Sequence, residues 1–129
     1  MDRRDRLAKL LILQRKVKEL HEARRAALLK EATAAEAEAK ALMERLDASD
    51  SLADLFPGLY EERIRRAFDR RDGNLETAAR EAKEIAAANA RANAVERIHR
   101  EIERRHERSA EEKTILELIE QKLKPSRPG

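Results

Sequence analysis

The side chains with the most chemistry to offer are three histidines, two of which follow a glutamate at a fixed interval: Glu96-x-x-His99 and Glu103-x-x-His106. Carboxylate-bridged di-iron bundles use that interval, taking one Glu-x-x-His from each of two helices and one further inward glutamate from each of two others. Here both motifs fall on one helical stretch, so the expectation is a pair of surface or seam-edge histidines and no metal site. Cysteine is absent, which removes thiolate ligands and disulfides. There is no glycine-rich phosphate loop, nucleophile elbow or Ser/His/Asp arrangement. A two-stranded coiled coil also offers no concave, water-excluding pocket in which carboxylates could be tuned for catalysis. The chain is therefore read as a non-enzyme with no catalytic residue, metal ligand or cofactor.

The densest basic cluster is Arg63, Arg65, Arg66, Arg70 and Arg71. At helical spacing Arg63, Arg66 and Arg70 share one face, opposite Ile64, Ala67 and Phe68, and form a candidate contact for phosphates or an acidic protein. The acidic residues just before them, Asp47, Asp50, Asp54, Glu61 and Glu62, could equally be what they neutralise. Nucleic acid is disfavoured as a partner, because stacking aromatics and base-reading motifs are missing. Charge elsewhere is interleaved: 29 basic against 26 acidic residues give a net charge of only +3, so no one-sided basic stripe runs along the chain.

These groups must sit on long helices. Charged residues make up 43% of the 129 and aromatics 2%, with alanine supplying much of the apolar fraction, so a thick core is not expected. The first helix is expected over residues 2–47. Its apolar stripe reads Leu10, Leu13, Val17, Leu20, then Leu28, Ala32, Ala35, Ala39, Leu42 and Leu46, with a slip at Arg24. Ser49, Asp50 and Ser51, then Pro57-Gly58, break that helix and open a helical tip over 48–73, with a short helix near 59–71. Asp72-Gly73-Asn74 offers a stop and a new N-cap, giving a last helix over 74–123 with the stripe Leu75, Ala78, Ala82, Ile85, Asn89, Ala92, Val95, Ile98, Ile102, Ser109, Leu116, Ile119 and Leu123. Alternatively Gly73 is tolerated and 59–123 form one helix, since a lone glycine costs only about 1 kcal/mol. Residues 125–129 read as a disordered tail.

Two helices of similar length imply an all-α fold: a long antiparallel two-helix coiled-coil hairpin with a short helical tip, in one domain over 1–124. At about 1.5 Å per residue each arm spans roughly 70 Å, and folding about a tip near residue 60 pairs positions whose numbers total about 120. The alanine-rich stretches 26–41 and 78–94 then face each other, and the bulky ends meet. Leu7, Leu10, Leu11 and Ile12 with Ile115, Leu116 and Ile119 become an apolar rod end for a partner. The longest apolar run, Leu10-Leu11-Ile12-Leu13, is too short for membrane insertion or a signal-peptide core, so a soluble cytoplasmic protein is expected.

Residues 52–83 contain Leu55-Phe56-Pro57, Ile64, Phe68 and Gly73-Asn74-Leu75-Glu76-x-Ala78, a pattern similar to the ubiquitin-binding CUE motif. The family's terminal dileucine is replaced by Ala82-Lys83, and packing of a small three-helix tip accounts for the same pattern. A broader resemblance starts at Arg6-Leu7-Ala8-Lys9-Leu10-Leu11-Ile12-Leu13-Gln14-Arg15-Lys16, followed by an Ala/Glu-rich helix and a charged return helix. In size and layout this looks like the FliJ/YscO family of cytoplasmic flagellar and type III secretion proteins. That resemblance implies a stalk inserted in the hexameric export ATPase, contact with the export gate protein, and an escort role for chaperones. Two other classes remain open: a coiled-coil adaptor or self-associating protein, and a nucleic-acid-associated protein using the arginines.

Overall fold

The computed structural model describes residues 2–124, apart from 49, 51, 53 and 57. It contains two α-helices, α1 (Arg3–Asp47) and α2 (Leu59–Leu123), packed antiparallel, and among the described residues no strand. The all-α hairpin expected from the spacing is therefore formed. The expected disordered tail, 125–129, lies outside the described residues.

Each helix start is set by local chemistry. The backbone N–H of Asp5 donates to Asp2 Oδ1 at 2.8 Å, so Asp2 caps α1, and that bond holds the Asp2 carboxyl below its ordinary range. Gly58 opens α2: its carbonyl accepts from the Glu62 N–H at 2.9 Å, and its φ of 82° lies in the left-handed region. Between the helices, Leu55 and Phe56 N–H both donate to the Leu52 carbonyl, and Arg45 grips the Asp50 carboxylate through two guanidinium nitrogens at 3.0 and 3.2 Å.

The helix break expected at Asp72-Gly73-Asn74 does not occur. From Leu59 onward α2 runs uninterrupted through Gly73 for 65 residues, which is the one-helix alternative. It follows that residues 52–83 are not three short helices, and their likeness to the CUE pattern stays at the level of sequence. Gly73 has helical backbone, and a Cβ added there meets nothing within 4 Å. Gly73→Ala should therefore raise stability by about 0.5–1 kcal/mol, by removing the entropy glycine loses in a helix. Gly58→Ala, also with nothing within 4 Å of the new Cβ, should lower it by about 1–2 kcal/mol, because only the left-handed φ matters there. Urea denaturation of both variants checks this; equal signs would contradict it.

The packed face of α1 runs Arg4, Leu7, Leu11, Gln14, Lys18, His21, then Leu28, Ala32, Ala35, Ala39, Leu42 and Leu46. All are buried or half-buried, and the alternation of three and four is interrupted only by exposed Arg25. No slip occurs at Arg24. The alanine half of the expected stripe is correct, but the first half is displaced: Leu10, Leu13 and Leu20 are exposed and only Val17 is half-buried. On α2 the face is Tyr60, Ile64, Ala67, Arg71, Asn74, Ala78, Glu81, Ile85, Ala88, Ala92, Val95, His99 and Ile102. Leu75, Ala82, Asn89 and Ile98, expected inside, each lie one position off that face and are exposed.

The chain divides into two packed units, Met1–Gln14 with Ala90–Gly129, and Arg15–Asn89. In the first, Arg4 Nε lies 3.4 Å from Glu103 and Arg91 Nε donates to Gln14 at 3.1 Å. In the second, Lys18 Nζ donates to Asn89 at 3.1 Å, Arg71 lies 3.6 Å from Glu36, and Arg70 pairs with Glu38. Facing residue numbers thus total about 106, as the two alternating faces require when packed antiparallel, and not the 120 expected from equal arms. The consequence for the alanines is a correction. Ala39 is level with Ala67, both fully buried, but Ala78, Ala88 and Ala92 are level with Leu28, Lys18 and Gln14, so most small residues face long ones.

Candidate protein-docking surfaces

The same register decides which surfaces are left open. Because Arg4 sits beside Glu103, the last 20 residues of α2, 104–123, continue past the start of α1, and every one is exposed. Ile115, Leu116, Leu118, Ile119 and Leu123 are between 46% and 76% exposed on this overhang. Its first part carries Arg104, Arg105 and Arg108, whereas over 111–121 Glu111, Glu112, Glu117 and Glu120 outnumber Lys113. Leu118 and Leu123 were not assigned from the sequence as partner residues; their signal is the cluster of five large aliphatics within nine positions.

The expected rod end is not assembled. Leu7 and Leu11 are half-buried in the packed face, whereas Ile115, Leu116 and Ile119 stand alone on the overhang. Leu10 and Ile12 are exposed on α1, at 39% and 54%, together with Leu13 at 54%. Leu10 precedes packed Leu11 by one position, and Ile98 precedes packed His99 by one. In an antiparallel pair these places lie on the same flank, so Leu10, Leu13 and exposed Ile98 border one shallow apolar groove.

The arginine cluster lies in the other unit. Arg63, Arg66 and Arg70 do share a face and, with Glu38 and Asp69, line an open depression. Its charge is largely answered from within: Arg70 pairs with Glu38, and Arg66 Nε donates to Glu62 at 3.2 Å. Arg65 also donates to both Glu62 oxygens, at 2.9 and 3.0 Å, and the Arg71 guanidinium stacks 4.7 Å from the Phe68 ring centre. Arg63 makes no ion pair among the described residues.

The hydrogen bonds from Arg65, and then its charge, hold the Glu62 carboxyl below the ordinary glutamate range. A depressed folded-state pKa means the contribution of this pair is complete above the unfolded value and fades only as pH falls through the folded one. A side-chain carboxyl NMR titration should accordingly place the Glu62 midpoint below the ordinary glutamate range. A midpoint at or above it would contradict the cluster.

The histidines do not gather. His21 Nδ1 pairs with Glu81 across the second unit, both side chains about five-sixths buried. His99 Nε2 lies 3.7 Å from Glu103, which also faces Arg4, and His106 is exposed on the overhang. Among the described residues no three His, Cys, Asp or Glu side chains converge as a metal site, and no helix is long and apolar enough to cross a membrane. What the arrangement offers chemically is two apolar helix surfaces with charged borders. Compared with known protein families, curated proteins and solved structures, the chain matches none of them.

Proposed function

We propose that this chain is a non-enzymatic, cytoplasmic coiled-coil protein of a flagellar or type III export apparatus, contacting the export ATPase and the export gate. The observation that carries the interaction role is the overhang of α2: a single charged helix with Ile115, Leu116, Leu118, Ile119 and Leu123 exposed. Helix propagates cheaply from the packed part of α2, but an apolar side left in water gains from packing against a partner. The export assignment is supported by the Arg6 to Lys16 opening and the helical hairpin layout that follows it. With the two arms unequal, the narrow element available to a ring's central pore is the overhang alone, and not a blunt end made by both helices.

Mixing the protein with an export ATPase tests this. Hexamer formation and ATP turnover should rise, and the rise should be lost in the Leu10→Asp plus Leu116→Asp variant. A folded protein that neither binds the ATPase nor affects its turnover would remove the export role and leave a coiled-coil adaptor.

A further inference from the structure

The groove bordered by Leu10, Leu13 and Ile98, and the overhang 104–123, belong to the same packed unit and are complementary. We propose that two copies of this chain associate reciprocally, the α2 overhang of each lying in the groove of the other. This goes beyond the export reading: the dimer covers the same overhang, so the two associations exclude each other, and the dimer is tested with the protein alone.

Three observations carry it. The first is spacing. On α1 the stripe beside the packed face steps by three from Leu10 to Leu13 and by four to the next apolar position; on the overhang Leu116, Ile119 and Leu123 step by three and four. Laid parallel with a constant offset of 106, Leu10 meets Leu116 and Leu13 meets Ile119, layer for layer, as in a coiled-coil seam. The second is charge. Residues 3–14 carry four basic side chains and one acidic, while 111–121 carry four acidic and one basic. The same offset sets Arg6 level with Glu112 and puts Lys9 across the seam from Glu120, the flanking relation that pairs charges in parallel coiled coils.

The third is symmetry. Inside each chain, facing residues total about 106, and between chains the offset is also 106. A two-fold axis at the α1 start therefore satisfies both contacts at once, making the association closed and not fibre-forming. In cross-section each half becomes three helices: α1 and α2 of one copy with the overhang of its partner. Ile98 then faces the stretch of the partner's overhang around Ile115, so the groove's second wall is covered as well. Two such contacts, each about 22 Å long, run residues 109–123 of one copy beside 3–17 of the other.

Sedimentation velocity over a concentration series tests the proposal. The wild-type chain should show a monomer–dimer equilibrium that weakens with added salt. Leu13→Asp and Leu116→Asp, at positions 54% and 60% exposed in the single chain, should keep their helical circular dichroism and each weaken dimerisation at least tenfold. Mixing the two variants should restore a heterodimer, because the Leu13→Asp copy still offers an intact overhang to the intact groove of the Leu116→Asp copy. A wild-type chain monomeric to about 0.5 mM would overturn the proposal, being some 500-fold above a micromolar dissociation constant. So would a dimer indifferent to Leu13→Asp, which would mean that the overhangs pair only with each other, or variants that fail to complement.

Discussion

Ala39→Phe should destabilise the protein by about 1–3 kcal/mol, while Ala82→Phe should change its stability by no more than about 0.5 kcal/mol. Ala39 is fully buried and level with Ala67, which is also fully buried, so an aromatic ring there has no space unless the helices separate. Ala82 stands one residue from packed Glu81 and is exposed, although the apolar stripe read from sequence puts it inside. Thermal or urea denaturation of the two variants is a direct comparison of the two registers. Equal costs would mean that α2 is rotated relative to α1 by about one residue.

The second large effect concerns the polar pair in the packed face. His21→Leu should cost about 1–3 kcal/mol, because it leaves the largely buried Glu81 carboxylate without its partner. Replacing both residues with leucine should recover that loss and match or exceed the wild type, since two apolar side chains fill the layer with nothing left to desolvate. A double-mutant cycle measures the coupling; purely additive changes would mean that the two side chains do not depend on each other. If the double variant is more stable but assembles in more than one oligomeric form, the pair's role is to fix register.

Much of α1 was legible in the sequence, and the reason is visible at Leu28 through Leu46. There the packed face is also the most apolar face, so the spacing of three and four finds it. Between Arg4 and Arg25 the two part company. The packed face contains Gln14, Lys18 and His21, whose partners Arg91, Asn89 and Glu81 are contributed by α2 and cannot be seen until it is in place. The neighbouring stripe of Leu10, Leu13 and Leu20 is far more apolar, and it imitates a seam followed by a slip. It is a second seam, left exposed within one chain.

The displacement of the fold-back point has one origin as well. Asp72-Gly73-Asn74 resembles a helix end, and starting the return helix there makes the arms equal. With helical residues continuous on both sides, the propensity cost of one glycine is too small to break α2, and the return begins at Leu59. The fold-back midpoint moves by about seven residues and every facing position on α2 by about fourteen, which strips the overhang of the partner that equal arms would give it. Ile115, Leu116 and Ile119 are apolar and exposed, but without the neighbours within the chain that equal arms would give them.

Both candidate docking surfaces depend on that register, and paired cysteines test it most directly, since the chain has no cysteine of its own. Leu11→Cys with Val95→Cys joins two packed positions whose numbers total 106, whereas Leu11→Cys with Ser109→Cys joins the positions that equal arms would bring together. Under mild oxidation in dilute solution, Leu11/Val95 should close an intramolecular disulfide and Leu11/Ser109 should remain reduced. A disulfide in the second pair and none in the first would mean that α2 has no overhang.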